Sequence, residues 1–125
     1  MSECPTEDVE CRNFHQWLEI NHMPHTHVAN ESRSGKRDAM IRAKKNKELG
    51  TARGVWDYEI FVPIRGVFGS IDAYQQIKIE MKRQKGGTVS EEQKRWGKIY
   101  EMAGVPAKVC HGCDEAVDFV RSFML

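Results

Sequence analysis

Three residues in the middle of the chain combine the side chains that metal-assisted hydrolysis requires. Glu80 and Lys82 stand two positions apart in Glu80-Met81-Lys82, and Asp57 lies in an earlier apolar segment. Side chains alternate along a β-strand, so Glu80 and Lys82 share one face of the strand that carries them. A paired strand lies only about 4.8 Å away, which can bring Asp57 within reach of Glu80. Two carboxylates that close favour a divalent cation, and the lysine can orient or deprotonate an attacking water.

The two segments that carry these residues give the strongest strand signals of the chain. Residues 55–63 and 73–82 are rich in β-branched and aromatic residues, and a loop with Gly66 and Gly69 separates them. We expect them to pair as neighbours. Alternation predicts that Trp56 and Tyr58 point to one side of the first strand while Asp57 points to the other.

The rest of the sequence predicts four helices and two short strands. Helices are expected over 6–21, with Thr6 as the N-cap, over 36–49, over 90–103 and over 114–123. Short strands are expected over 26–29 and 105–110. The order is αβαββαβα in a single domain of 125 residues. Ser90 and Gln93 have the spacing of a capping box.

Charge is strongly segregated along the chain, although the formal net charge is only +1. Residues 1–32 carry six acids and one base, whereas residues 33–54 carry eight bases and two acids. Residues 78–98 repeat the basic bias, with seven bases against three acids. Such tracts attract a polyanion such as DNA, although a solvated helix face would look the same over 33–54. The candidate DNA-binding residues are Arg33, Lys36, Arg37, Lys44, Lys45, Arg83 and Lys85.

Composition excludes several other classes of protein. With 40% hydrophobic and 30% charged residues, the chain is neither disordered nor collagen-like. No apolar run approaches the roughly 20 residues of a membrane span, and the first residues are acidic rather than those of a signal peptide. We expect a cytoplasmic protein, of a bacterial or phage-infected cell, whose four cysteines are reduced thiols.

Zinc binding is a competing interpretation of the cysteines and histidines. Cys110 and Cys113 form one C-x-x-C, and a second group near the start of the chain comprises Cys4, Cys11, His22, His25 and His27. A C-x-x-C without a partner pair is a weak signal of a structural zinc site.

E-x-K alone commonly marks a surface ion pair, so the interpretation depends on its surroundings. Four motifs follow one another in the chain: Gly54-Val55-Trp56-Asp57, Glu80-Met81-Lys82, Gly86-Gly87 and Ser90-Glu91-Glu92-Gln93. Their order and spacing resemble those of the virus-type replication-repair nuclease (VRR-NUC) domain, a branch of the PD-(D/E)XK nuclease superfamily. Asn30-Glu31, Leu49-Gly50 and Ala103-Gly104 extend the resemblance over about residues 7 to 118. One departure is Trp56, which stands where the family usually has proline.

The resemblance implies an α/β fold of the restriction-endonuclease-like kind, a mixed β-sheet flanked by helices. It also implies Mg²⁺ or Mn²⁺ held by Asp57, Glu80, the Met81 carbonyl and a glutamate of the first helix. Glu10 fits that glutamate best, Glu7 remains open, and a helix-dipole role explains Glu10 equally well. Gln93 resembles an active-site glutamine of the family, and its capping-box role is an equal alternative.

The function implied is metal-dependent DNA endonuclease activity. Small stand-alone members of the family look like homodimers that cut branched DNA such as four-way (Holliday) junctions, and we extend both properties to this chain as a hypothesis. The alternatives are a non-catalytic nucleic-acid-binding module, a nuclease acting on flaps or linear duplex, and a site-specific nuclease. Nothing in the sequence indicates base readout.

Overall fold

The computed structural model describes residues 4–28 and 54–124. Within these ranges the elements are α1 (Glu7–Ile20), β1 (His25–His27), β2 (Tyr58–Arg65), β3 (Ile71–Lys82), α2 (Glu91–Met102), β4 (Ala107–His111) and α3 (Cys113–Arg121). The helix predicted over 36–49 lies outside the described residues, as do Arg33, Lys36, Arg37, Lys44 and Lys45. The described elements follow one another in the predicted order.

The strands form a mixed sheet in the order β1-β2-β3-β4. β2 and β3 pair as an antiparallel hairpin, with Tyr58 opposite Ile79 and Glu59 opposite Lys78. β4 pairs parallel to β3, and α2 makes the crossover that a parallel pair needs. β1 lies antiparallel on the other side of β2. The predicted mixed sheet flanked by helices is therefore confirmed.

β2 is shifted relative to its predicted bounds of 55–63. It begins at Tyr58 because the chain bends at Asp57, and it continues past Pro63 to Arg65. The pairing with β1 ends at Ile60, so Pro63 has no described strand on that side. A strand tolerates proline where its missing N–H faces no partner.

One face of the sheet is apolar, and α1 and α3 cover it. In α1 the Thr6 hydroxyl accepts a hydrogen bond from the Val9 N–H at 3.3 Å, which caps the helix start. The aromatic rings of Phe14 in α1 and Tyr58 in β2 pack edge to face, 5.1 Å apart. The buried core on this face comprises Phe14, Leu18, Met23, Tyr58, Ile60, Val62, Ile77, Ile79, Met81, Cys110, Ala116 and Val120.

α2 packs on the opposite face of the sheet. The Lys78 ammonium, which leaves β3 on the side away from Ile77 and Ile79, lies 5.4 Å from the centre of the Tyr100 ring in α2. Trp56 also packs against Tyr100, with 5.3 Å between ring centroids. The prediction that Trp56 shares the side of Tyr58 is therefore wrong, because regular strand alternation starts only at Tyr58.

The burial difference between Leu18 and Ile20 predicts a large difference in stability between two similar truncations of α1. Leu18 is 0% exposed and Ile20 is 75% exposed. We expect Leu18→Ala to lower the free energy of unfolding by about 2–5 kcal/mol, because it leaves a cavity in the core. Ile20→Ala should change it by less than about 0.5 kcal/mol. Urea unfolding followed by circular dichroism measures both, and equal losses would contradict this packing of α1.

Candidate active site

Asp57 and Glu80 interlock at the end of the β2–β3 hairpin. They are the next residues after the paired Tyr58 and Ile79. At this position, hydrogen bonds from backbone N–H groups to side-chain carboxylates replace those between two backbones. The Asp57 N–H donates to Glu80 Oε1 at 3.2 Å, and the Met81 N–H donates to Asp57 Oδ2 at 2.9 Å. The Asp57 N–H thus orients the Glu80 carboxylate, and the N–H of Met81, the residue after Glu80, orients the Asp57 carboxylate.

Lys82 and Gln93 both contact the second oxygen of Glu80. Lys82 Nζ lies 3.4 Å from Glu80 Oε2, and Gln93 Nε2 donates to the same atom at 3.0 Å. Glu80 is 0% exposed and Lys82 is 9% exposed. A buried charge is costly unless it is paired and hydrogen-bonded, so these contacts stabilise Glu80 in place.

Both carboxylates are costly to ionise in this buried site. Burial raises the pKa of Glu80, the neighbouring charge of Asp57 raises it further, and Lys82 opposes both effects. Burial also raises the pKa of Asp57, against the hydrogen bond from Met81. A divalent cation with oxygen ligands would favour the ionised form of both groups, so this pair fits such an ion.

Gln93 forms a capping box with Ser90 and also contacts the carboxylate of Glu80. Its backbone N–H donates to the Ser90 hydroxyl oxygen at 3.1 Å, and its side-chain Oε1 accepts from the Ser90 N–H at 3.0 Å. The predicted capping box is therefore confirmed. Because the amide nitrogen of the same side chain binds Glu80, the cap also aims this nitrogen at the carboxylate.

Trp56 attaches the turn at Asp57 to α2. Its indole N–H donates to the Gln93 carbonyl at 2.8 Å, which anchors the turn to the helix. Gly54 allows the close approach: it has φ +76°, and an added Cβ would lie 2.5 Å from Glu92 Cβ. The sequence marked Gly54 as part of a motif but gave no sign of the Trp56 contact.

Glu10 is buried, and one of its oxygens is hydrogen-bonded to Gln84 and to the start of α3. Its Oε2 accepts from Gln84 Nε2 at 3.3 Å and from the Cys113 N–H at the start of α3 at 3.2 Å. Gly112, with φ +102°, makes room for it, since an added Cβ would lie 2.3 Å from that oxygen. The role of Gln84 had no signal in the sequence, because the residues it joins are remote along the chain.

Glu7 faces the same cavity as Asp57. This cavity, of about 310 Å³, is also lined by Asp8, Cys11, Arg12, His15, His27 and Tyr58. The charge of Glu7 contributes to the raised pKa of Asp57. Among the described residues, neither Glu7 nor Glu10 forms with Asp57 and Glu80 a set of three oxygens all within 4.8 Å of one another.

Among the described residues, no cysteine is part of a group of potential metal ligands. All four are free thiols, and burial raises the pKa of Cys110 to about 12. Within residues 4–28 and 54–124, no group of three close ligand atoms includes a cysteine. Of the candidate DNA-binding residues, Arg83 and Lys85 fall in the described part, and both are exposed just beyond Lys82.

Comparison with known proteins identifies the fold. No family model matches the chain, and no curated protein matches it. Among solved structures, a protein described as "VRR_NUC domain protein" superposes with a TM-score of 0.69 at 18% sequence identity, over 98% of this chain and 91% of that chain. This chain therefore has the fold of a VRR-NUC domain, as its motifs predicted. Among the described residues, no helix is long and apolar enough to cross a bilayer.

The raised pKa of Glu80 predicts a loss of stability towards alkaline pH when no divalent cation is present. The folded state holds this proton more tightly than the unfolded state, so stability falls as pH rises from the ordinary glutamate pKa of about 4.3 through the raised value. We expect Glu80→Gln to flatten the fall in the urea midpoint between about pH 5 and about pH 8, measured in a chelator.

Glu59 provides the matched control for this measurement. Its hydrogen bond and ion pair with Lys78 lower its pKa, so its contribution to stability has the opposite sign. Glu59→Gln should remove stability at the higher pH. An unchanged pH slope in Glu80→Gln would contradict the account of the buried pair.

Proposed function

We propose that the chain is a divalent-metal-dependent DNA endonuclease of the PD-(D/E)XK superfamily. The observation that carries the proposal is the convergence of Asp57, Glu80 and Lys82 at one buried point, joined by the contacts at 3.2 Å and 3.4 Å. A purely structural ion pair would need one carboxylate. Two neighbouring carboxylates with raised pKa values, in a chain that has the fold of a VRR-NUC domain, support a hydrolytic site.

Asp57, Glu80 and the Met81 carbonyl are the residues we assign as ligands of Mg²⁺ or Mn²⁺. A carboxylate of α1 completes the set in this proposal. Glu10 is the residue the motif favours, yet its Oε2 is occupied by Gln84 and the Cys113 N–H. Glu7 lines the cavity beside Asp57, so it is the alternative that the geometry favours.

Each residue then has a distinct task in phosphodiester hydrolysis. The bound cation supplies positive charge for the phosphoryl oxygen and lowers the pKa of a water. Lys82, which points at the same carboxylate oxygen as Gln93, orients or deprotonates the water that attacks phosphorus. Gln93 keeps Glu80 in position. Burial of Glu80 keeps bulk water away from the site and strengthens these interactions.

DNA is the substrate that the charge distribution supports. Arg83 and Lys85 are exposed directly after the catalytic strand, where they can contact phosphates on either side of a scissile bond. The basic tract 33–54 adds further phosphate contacts in this proposal. Such positive charge contacts the DNA backbone rather than the base edges, which suits selectivity for DNA shape, such as that of a four-way junction. In this proposal the protein acts in the cytoplasm.

A homodimer would place two such sites about a two-fold axis, as paired cuts across a junction require. The tip of the β2–β3 hairpin offers apolar surface for self-association, with Val67 95% and Phe68 98% exposed. Single exposed apolar residues are ordinary on a protein surface, but two adjacent ones at a projecting turn favour a contact.

A non-catalytic DNA-binding module is the second candidate function. The basic residues Arg83 and Lys85 would serve it equally well. It gives no account of the buried Asp57 and Glu80, whose ionisation costs stability.

Loss of one proposed ligand should abolish cleavage without abolishing DNA binding. Asp57→Asn keeps the shape of the side chain and removes its charge, so we expect cleavage to fall at least about 100-fold. The assay compares a labelled four-way junction, a flap and a linear duplex, with Mg²⁺, with Mn²⁺ and with chelator. Asp72→Asn, an exposed aspartate at the start of β3, is the matched control and should retain full activity.

The outcomes of this assay separate the candidates. Metal-dependent cuts placed symmetrically in the junction, by a protein of twice the 14.4 kDa chain mass in light scattering, would support the whole proposal. Salt-sensitive binding without any cleavage would favour the binding module. Equal cutting of duplex and junction by a monomer would remove the junction selectivity and the dimer.

The two roles of Gln93 predict that Gln93→Glu keeps helix α2 and impairs catalysis. Glutamate at this position can still accept from the Ser90 N–H, so the capping box survives. It places a carboxylate against Glu80 Oε2 in place of a donor. We expect cleavage to fall roughly 10–100-fold, the range seen when an outer partner of a metal ligand is lost. Ser90→Ala is the control: it removes the hydroxyl that caps the helix but keeps the Ser90 N–H that holds the Gln93 side chain. Wild-type activity in Gln93→Glu would leave Gln93 as a cap only.

A further inference from the structure

Three potential metal ligands meet where α1 turns into β1. His15 Nδ1 lies 2.9 Å from His25 Nε2, and Glu19 Oε1 lies 3.9 Å from the same nitrogen. All three ligand atoms lie within 4.8 Å of one another. Among the residues that the structure describes, this is the one group of three close histidine, cysteine or carboxylate ligands.

The local fold brings these side chains together without requiring other elements. His15 and Glu19 are four residues apart in α1, so they stand on the same face of the helix. The turn that follows includes His22 at φ 53°, which reverses the chain, and His25 opens β1 beside them. His15 and Glu19 are exposed, whereas the His25 side chain is only 7% exposed.

A hydrogen bond fixes the tautomer of His25. Its Nδ1 lies 2.8 Å from the Met23 carbonyl, which can only accept, so Nδ1 carries the proton. In the neutral ring, Nε2 then presents a lone pair to the cluster. His15 must donate its Nδ1 proton to that lone pair in the absence of an ion. A histidine held by a backbone carbonyl with its free nitrogen aimed at other ligands is the arrangement found at metal sites.

We propose that His15, Glu19 and His25 bind one zinc-class transition-metal ion, with the fourth position open to water. Two imidazoles and one carboxylate suit Zn²⁺, whereas Mg²⁺ prefers oxygen ligands alone. The ion replaces the proton shared by the two histidines. Tetrahedral coordination separates ligand atoms by about 3.3 Å, so the 2.9 Å contact needs to open by only a few tenths of an ångström.

This site differs in its ligands from the carboxylate site of Asp57 and Glu80, although His15 also lines the cavity beside Asp57. Its effect is to fasten β1, the edge strand of the sheet, to the helix that carries Glu7 and Glu10. The inference does not rest on nuclease activity. It also assigns His25, one of the histidines singled out by the zinc interpretation of the sequence, to partners in α1 rather than to cysteines.

Zinc titration of the full chain, after chelation and dialysis, tests the proposal. Calorimetry should give one Zn²⁺ per chain, and Zn²⁺ should raise the melting temperature. His25→Ala and Glu19→Gln should each weaken binding by more than the roughly 10–100-fold that loss of an outer partner costs. Glu19 is exposed, so its variant folds even if His25→Ala does not. His22→Asn is the matched control, because His22 is exposed in the same turn and asparagine tolerates its φ.

Cobalt substitution distinguishes this site from the other candidates. Co²⁺ bound by nitrogen and oxygen shows no intense thiolate charge-transfer band, whereas binding by the cysteines would show one and would overturn the proposal. Binding should persist in Asp57→Asn and resist excess Mg²⁺. The absence of stoichiometric binding, or binding unchanged in Glu19→Gln and His25→Ala, would also overturn it. Cleavage assays on the same preparations report separately on the proposed nuclease function.

Discussion

Glu80 holds a fully buried carboxylate, and the surrounding structure supplies its hydrogen-bond and charge partners. Its two oxygens receive the Asp57 N–H, the Gln93 amide and the Lys82 ammonium. Asp57 adds a second acidic group to the same space and is itself held by the Met81 N–H. These contacts orient the two carboxylates but leave a net preference for neutralisation, which is why both pKa values rise.

The hydrophobic core determines where this polar cluster stands. Ile77, Ile79 and Met81 are fully buried on the face of β3 that α1 and α3 cover. Period-two alternation then places Glu80 and Lys82 on the side of α2. A register slip of one residue would exchange the two sets, so the energy of core packing also secures the site. α2 completes it from the other face, where the Ser90 cap aims Gln93 at Glu80 and Trp56 joins the Asp57 turn to the helix.

Helix α1 links the core to both proposed metal-binding regions. Phe14 and Leu18 anchor it in the apolar layer. Glu7 reaches the cavity at Asp57 from its first turn, while His15 and Glu19 meet His25 near its end. Because Glu10 is hydrogen-bonded to Gln84 and to the start of α3, the helix is also fixed relative to the end of β3 and to α3. A single amphipathic helix thereby sets the distance between the cavity beside Asp57 and the cluster of His15, Glu19 and His25.

The sequence by itself determined the features that depend on short-range periodicity. Alternation in Glu80-Met81-Lys82, the Thr6 and Ser90 caps, the pairing of β2 with β3 as neighbours and the order of the described elements all follow from residues close together in the chain. The spacing of Gly54, Asp57, Glu80 and Gln93 was enough to indicate the VRR-NUC fold that the solved structure supports. Each of these signals is local, because it rests on a repeat of two or four residues or on a fixed motif.

Only the tertiary structure decided which distant side chains meet. Trp56 turned towards α2 because the chain bends at Asp57 before regular alternation begins. Glu10 meets Gln84 and the Cys113 N–H, and His25 meets His15 and Glu19 rather than a cysteine. Such contacts depend on how helices dock on the sheet, and docking is fixed by the packing of the whole core. The pattern of a single segment carries no information about it.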